Sequence, residues 1–470
     1  MVSHLSERPM ERTTPAIDTV LARMGKYRDK PALFWKGRNY TYLEFGELIH
    51  AWEQRLQEDG IGSGMTCAFL GDYSPQTCAL IFALIKKKAI LVPLTSEVSS
   101  EMDFYLEVSG TQMLYRFDAE DGASLEKRSS FNRPPLVTSF LEHCRPGLIV
   151  FTSGSTGEPK GILHDCENLM SKFVQERQGW KTILFLLMDH FGGFNTFLGT
   201  FAYGGVGVCP TPRTSQGVAQ AIQDAKANLL PTTPTFLNLI IASRLFATFD
   251  FSSVELITYG TELMSETTLK KVLEIFPNAK LKQTYGLSEQ GVLHSKSESK
   301  DSTWVKIGGP GFETKVVDNI LWLRSKANMV GYLNAPNPFD EDGWMCTGDE
   351  VEVKGEYLRF LGRKSEVINV GGKKVFPIET ETVLLQASNI QNVAVFAKSH
   401  SIMGQVVHAQ VSVIEPEDPL QLSERLRKFC NERLAKYKVP LRFSVVNDDQ
   451  QHNARFKKIR RDAEKPEVSQ

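Results

Sequence analysis

The sequence predicts an α/β fold of layered subdomains followed by a smaller α+β unit, and three observations carry that reading. Its 470 residues exceed what one hydrophobic core organises, since chains beyond about 250–300 residues divide into domains. Short apolar runs alternate with helical stretches from about Ile17 onward, the signature of helices layered on a sheet. After about Phe360 the texture changes to a Gly-rich charged loop and a more compact helix-and-strand pattern.

Taken in order, Gln76 to Lys87 has helical spacing and Ala89 to Pro93 reads as a strand. The runs Leu148 to Ser153, Ile183 to Met188, Glu255 to Gly260 and Lys280 to Gly286 follow, each apolar and each ending at small or turn-forming residues. Loops after such strand ends commonly bind ligands. In the last stretch, Pro377 to Gln386 and Ser423 to Leu434 read as helices, and NVAVFAK and HAQVSVI as strands. No repeat or low-complexity linker intervenes, so the boundary is a short hinge near Arg363 to Ser365, dividing the chain into 1–362 and 363–470.

Composition excludes several classes. Hydrophobic residues at 41% and charged residues at 23% are those of an ordinary globular protein. Lys plus Arg number 54 against 55 for Asp plus Glu, so no broad positive field exists to hold nucleic acid. The seven cysteines are scattered and lack metal-ligand spacing, and read as reduced, mostly buried thiols. The polar start MVSHLSERPMERTTPA lacks a secretory apolar stretch. Runs such as Ala79 to Ile85 fall far short of the roughly 20 residues that span a bilayer. A cytoplasmic enzyme without a membrane span is the expectation.

The strongest local signal is Phe151 to Gly161, FTSGSTGEPKG, directly after an apolar strand. Thr152, Ser153, Gly154, Ser155, Thr156 and Gly157 supply backbone N–H groups and hydroxyls that can close around a phosphate, and Lys160 adds a point charge. It is not a Walker loop, which needs Gly before the lysine and Ser or Thr after it, whereas Lys160 sits between Pro159 and Gly161.

This wording resembles the signature of the adenylate-forming superfamily of acyl-CoA synthetases, peptide-synthetase adenylation domains and luciferases. Further strings resemble that family's motifs in the expected order from Phe151 to Arg461: Tyr259-Gly260-Thr261-Glu262, Tyr285-Gly286-Leu287-Ser288-Glu289, Gly343-Trp-Met-Cys-Thr-Gly-Asp349, and Gly362-Arg363 through Gly371-Gly372-Lys373 with Pro377-Ile378-Glu379 behind it.

The resemblance implies ATP, Mg²⁺ and a thiol acceptor, either CoA or a carrier protein's phosphopantetheine. It implies that Gly260, Thr261, Glu262, Thr284, Tyr285 and Gly286 face the nucleotide, with Tyr285 packed on adenine. Glu289 would hold Mg²⁺, a role that suits a hard oxygen ligand, and Asp349 would take the ribose diol with its two acceptor oxygens. Arg363 would contact the nucleotide, and Gly371 and Gly372 would line the thiol's tunnel once a mobile small domain turns. Thr152 and Glu289 count as catalytic together with a lysine near the C-terminus. A carboxylate attacking the α-phosphate brings two anions together, so a cation is needed there. In Arg455-Phe-Lys-Lys-Ile-Arg460 the resemblance favours Lys457 over Lys458, with Phe456 in place of the family's glycine.

Met188-Asp-His-Phe-Gly-Gly-Phe194 resembles the His-x-x-Gly stretch of acyl- and aryl-CoA ligases and implies one wall of a carboxylic-acid pocket, with His190, Phe191 and Gly192 in it and Phe236 as further apolar surface. Asp189 keeps open an amino-acid or aryl-acid adenylation enzyme that loads a carrier. The same motifs would serve a luciferase-like oxygenase. Ser365 and Phe456, which depart from the family pattern, leave open a non-catalytic nucleotide-binding relative.

Overall fold

The computed structural model describes residues 14–153, 158–309, 311–447, 451 and 458. Two seven-stranded sheets form the body of the large N-terminal domain. One runs Lys280–Gln283, Leu256–Tyr259, Leu229–Thr232, Lys181–Ile183, Val206–Cys209, Pro31–Trp35, Arg38–Thr41, parallel until its last hairpin. The other places Gly147–Ser153 beside Ile90–Leu94 and Thr66–Leu70, with the partner strand Pro159–Asp165 running back antiparallel.

Helices Tyr42–Glu58, Pro75–Lys86 and Phe191–Ala202 lie between these sheets and share one buried core with both. Pro75–Lys86 is buried over nearly its whole length, which suits a run as apolar as ALIFALI. Its start is fixed by Ser74, whose side chain accepts from Thr77 N, and by Pro75 in the first turn, where a missing N–H costs nothing.

A third, antiparallel sheet of six strands follows, ending in the hairpin Met345–Lys354 and Tyr357–Arg363. Beyond it, a small α+β domain has its own five-stranded sheet and its own core, from Ile368 to Phe443. Among the described residues no helix is long and apolar enough to cross a membrane. All seven cysteines are free, and five are buried.

Three expected boundaries move. The Ile183–Met188 run leaves its sheet after Ile183. There Leu184 N still donates to Val208 O at 2.8 Å, but Arg213 Nη1 donates to Phe185 O at 2.8 Å and the first turn of the helix Phe191–Ala202 lies against Leu186 and Leu187. The strand at Lys280 stops at Gln283, and Gly286–Leu287 starts a separate short hairpin with Gly291–Val292. The last helix begins at Pro419, four residues before Ser423, because Asp418 caps it by accepting from Leu420 N and Gln421 N.

Candidate active site

The hairpin that flanks the expected phosphate loop is built from the strands Gly147–Ser153 and Pro159–Asp165, with Thr152 opposite Lys160. Gly154, Ser155, Thr156 and Gly157, with the side chain of Ser153, lie outside the described residues. Asn334 closes the base of the loop, accepting from Gly161 N at 2.9 Å and donating to Pro159 O at 2.9 Å. Lys160 Nζ stands 5.2 Å from the centre of the Tyr332 ring, and the Tyr332 hydroxyl donates to Glu289 Oε1 at 2.6 Å. One tyrosine therefore joins the loop's cation to the carboxylate expected at the metal.

The second cluster forms where two parallel strands end. Thr284 N donates to Tyr259 O at 2.7 Å, and a Cβ on Gly260 would stand 2.7 Å from Thr284 O, so only glycine lets the two turns meet. Thr261 follows in the left-handed region, φ 68°, a conformation that costs of order 1–3 kcal/mol and is characteristic of ligand-binding turns. Tyr285 stacks on Phe360, centroids 4.5 Å apart at 20°, and its hydroxyl donates to Asp349 Oδ2 at 2.5 Å. Arg363 Nε lies 3.4 Å from Asp349 Oδ1, as the pairing of those residues across the hairpin requires. Burial pushes the Asp349 carboxyl above its ordinary range, against the Tyr285 hydrogen bond and the Arg363 charge. Burial, with the nearby Asp349 charge, pushes Tyr285 far up, so it stays a neutral donor.

Glu262 joins this group to Lys458. It accepts from Thr235 N and Oγ1 at 3.2 and 2.7 Å, and from Lys458 N at 2.5 Å. Lys458 Nζ is ion-paired with Glu381 at 2.9 Å. Lys457 itself lies outside the described residues.

The expected acid wall starts at His190, which precedes the helix Phe191–Ala202. Asp189 is buried and accepts from Thr95 Oγ1 at 3.0 Å. The Phe191 ring packs 4.8 Å from His164 and beside Gly291, which follows the Tyr285–Glu289 stretch, so this wall borders the second cluster. Gly192 is half-buried near Leu186.

Phe236 stands differently from the expectation. It is wholly buried and packs on Phe185, centroids 4.2 Å apart, because the cap at Thr233 starts a helix whose apolar face lies on the sheet. In this structure it is a core residue. Gly371 and Gly372 form the two-residue turn between Ile368–Val370 and Lys373–Val375, at φ 56° and 84°, with Gly371 N donating to Met403 O. Among the described residues no hydrogen bond joins them to either cluster.

Sequence reasoning missed Tyr332, Asn334 and Phe360, and gave Gly193 no role beyond its place in the His-x-x-Gly stretch. A Cβ there would overlap the carbonyl oxygen of Leu187. Gly193→Ala is expected to destabilise the fold by roughly 1–3 kcal/mol or more, as overpacking of backbone against backbone does. Urea unfolding would measure it, and an unchanged midpoint would show that the helix can shift freely.

A layered α/β domain with a phosphate-type loop and an aromatic, carboxylate-lined cluster beside it, followed by a small α+β domain, defines the adenylate-forming class. Residues 21–333 match the AMP-binding enzyme family and residues 379–457 its C-terminal domain, and the chain belongs to that family. It is 24% identical over 484 residues to a fatty acid–[acyl-carrier-protein] ligase of Streptomyces coeruleorubidus, covering 92% of each chain. It is 25% identical to an indoleacetate–CoA ligase of Aromatoleum aromaticum, covering 92% of this chain and 94% of that one. Among solved structures, an anthranilate CoA ligase bound to anthranoyl-AMP has the same fold, with a TM-score of 0.76 at 17% identity over 93% of this chain and 94% of that one.

Proposed function

We propose that this protein is an ATP-dependent carboxylic acid:thiol ligase that forms an acyl-adenylate and then an acyl thioester on CoA or a carrier protein's phosphopantetheine. The observation that carries this is the convergence around the stretch Thr284 to Glu289. Its first half bears the Tyr285–Phe360–Asp349–Arg363 cluster, and its last residue reaches Lys160 through Tyr332. A nucleotide laid along that stretch would have base and ribose at one end and phosphates at the other.

In the first half-reaction a carboxylate oxygen of the acid attacks the α-phosphorus, a P–O bond forms, and the bond to pyrophosphate breaks. Lys160 and Lys457 stabilise the charge that gathers on the phosphates, in a site preorganised for it. Glu289 suits Mg²⁺: Oε1 takes the Tyr332 hydroxyl, Oε2 accepts no hydrogen bond among the described residues, and Mg²⁺ commonly takes one or two carboxylates beside substrate phosphates. Bound there, the ion would draw charge from the phosphates. In the second half a thiolate attacks the acyl carbon and AMP leaves with the electron pair, so a poor leaving group has been exchanged for a good one.

The two halves fit a division at 1–362 and 363–470, with the hinge at Arg363 to Ser365. The hairpin strand ends at Arg363, and the small domain's own core begins at Ile368. Rotation there would withdraw Lys457 and bring Gly371 and Gly372 to the thiol.

The curated relatives act on fatty and aryl acids, which supports an aliphatic or aromatic acid here. ATP–pyrophosphate exchange across fatty, aryl, hydroxy and amino acids tests the reading. At least one acid is expected to drive exchange, followed by thioester formation. ATP binding without exchange for any acid would overturn it.

A further inference from the structure

Positive charge collects behind the proposed acid wall, where among the described residues no carboxylate is ion-paired with it. Lys172 Nζ lies 5.8 Å from the centre of the Phe191 ring and donates to Asn195 Oδ1. The Tyr203 hydroxyl donates to Lys172 O at 3.4 Å, and the Arg177 guanidinium lies 5.9 Å from the same Tyr203 ring.

From the other side come Lys282 and His294. Lys282 alternates with buried Leu281 and Gln283, so it points away from the core. The strand His294–Ser297 adjoins it, with Ser295 Oγ donating to Gln283 O and the backbone of Gly309 close against the His294 ring. Gly291, three residues before His294, touches Phe191.

These groups are near enough to repel one another. Burial, with Arg177 second, brings Lys172 down to about 8, and the same two causes lower Lys282. His294 is lowered by burial and by the charges of Arg177, Lys282 and Lys172. Yet none of the four is ion-paired with a carboxylate among the described residues, and Glu176, beside Arg177, turns to Arg23 instead. Lys172 and Lys282 are partly buried, with Arg177 and His294 exposed at the edge. Like charges brought together disfavour their charged forms, and a bound anion would reverse the sign of every one of these interactions. A further unmet group stands at the same ring. His164 is 1% exposed, lies against Phe191, and its Nε2 has no hydrogen-bond partner among the described residues.

We propose that the acid activated by this enzyme carries a second anionic group at its far end, received beyond Phe191 by Lys172, Arg177 and Lys282, with His294 at the rim. The proposal rests on the acid-pocket reading of His190 and Phe191. It narrows the substrate class from carboxylic acids at large to dianionic ones, of which dicarboxylic acids are the simplest.

Isothermal calorimetry in the presence of adenosine, using matched pairs, tests it: an alkanoate against the alkanedioate of equal length, and a phenylalkanoate against its ring-carboxylated counterpart. The dianion is expected to bind the intact protein at least about tenfold more tightly, since hydrogen bonds to charged groups contribute roughly 1.5–3 kcal/mol. Lys282→Met and Arg177→Gln, both changes at partly or fully exposed positions, should each erode that preference, and Lys282→Arg should keep it. Equal or weaker binding of every dianion, or a preference unmoved by both neutral variants, would overturn the proposal. The exchange assay separates this result from the wider reading. Selective dianion binding with no exchange from any acid would sink the ligase and leave the anion site, whereas exchange from monoanionic acids alone would do the opposite.

Discussion

Lys457→Ala is expected to slow acyl-adenylate formation by roughly a hundredfold to a thousandfold, the usual worth of one preorganised charge on a developing anion. Thioester formation from supplied acyl-adenylate should be largely intact. The split follows from what each half needs. Joining a carboxylate to a triphosphate gathers negative charge, and the second half neutralises none of it. Lys458, the neighbouring candidate, is already committed: its side chain is 9% exposed and paired with a fully buried Glu381. Its backbone N–H, however, is on Glu262, which places Lys458 at the turn Gly260 to Glu262. Pyrophosphate release measured beside thiol transfer in the same variant decides the matter. Release at the unaltered rate would remove Lys457 from the chemistry.

What could be read in the sequence was local, and what could not came from far along the chain. The hairpin flanking the expected phosphate loop was legible because an apolar run stops at small residues and resumes after Pro159, and the structure pairs those two runs in register. Tyr285 and Asp349 were singled out through resemblance, and a hydrogen bond joins them across 64 residues. Asn334 was not, since it closes a loop 173 residues away and no local pattern marks an asparagine for such work. Tyr332 and Phe360 were missed for the same reason, because a lone aromatic on a strand has core packing as its ordinary use. The run Ile183 to Met188 shows the converse limit. Apolar continuity cannot distinguish a buried strand from a buried extended segment pressed by a helix, and here Gly193 and Arg213 made it the latter.

The pair Lys458–Glu381 gives the second large effect. Glu381 is wholly buried, and its Oε1 accepts from Val395 N at 3.0 Å while Oε2 faces Lys458 Nζ. Taking the ammonium out of such a buried pair is strongly destabilising, by up to about 3–5 kcal/mol. Lys458→Met should therefore lower stability in urea unfolding, and Lys458→Met with Glu381→Gln together should cost less than the sum of the two single changes, because both act on one contact pair. The same lysine ties Glu262, in the large domain, to Glu381, in the small one. Loosening that tie should slow adenylation more than thiol transfer, since only the first half needs the C-terminal segment at the nucleotide. Additive single changes of under about 0.5 kcal/mol, the range of ordinary surface substitutions, would show that the seam opens to water and the pair holds nothing.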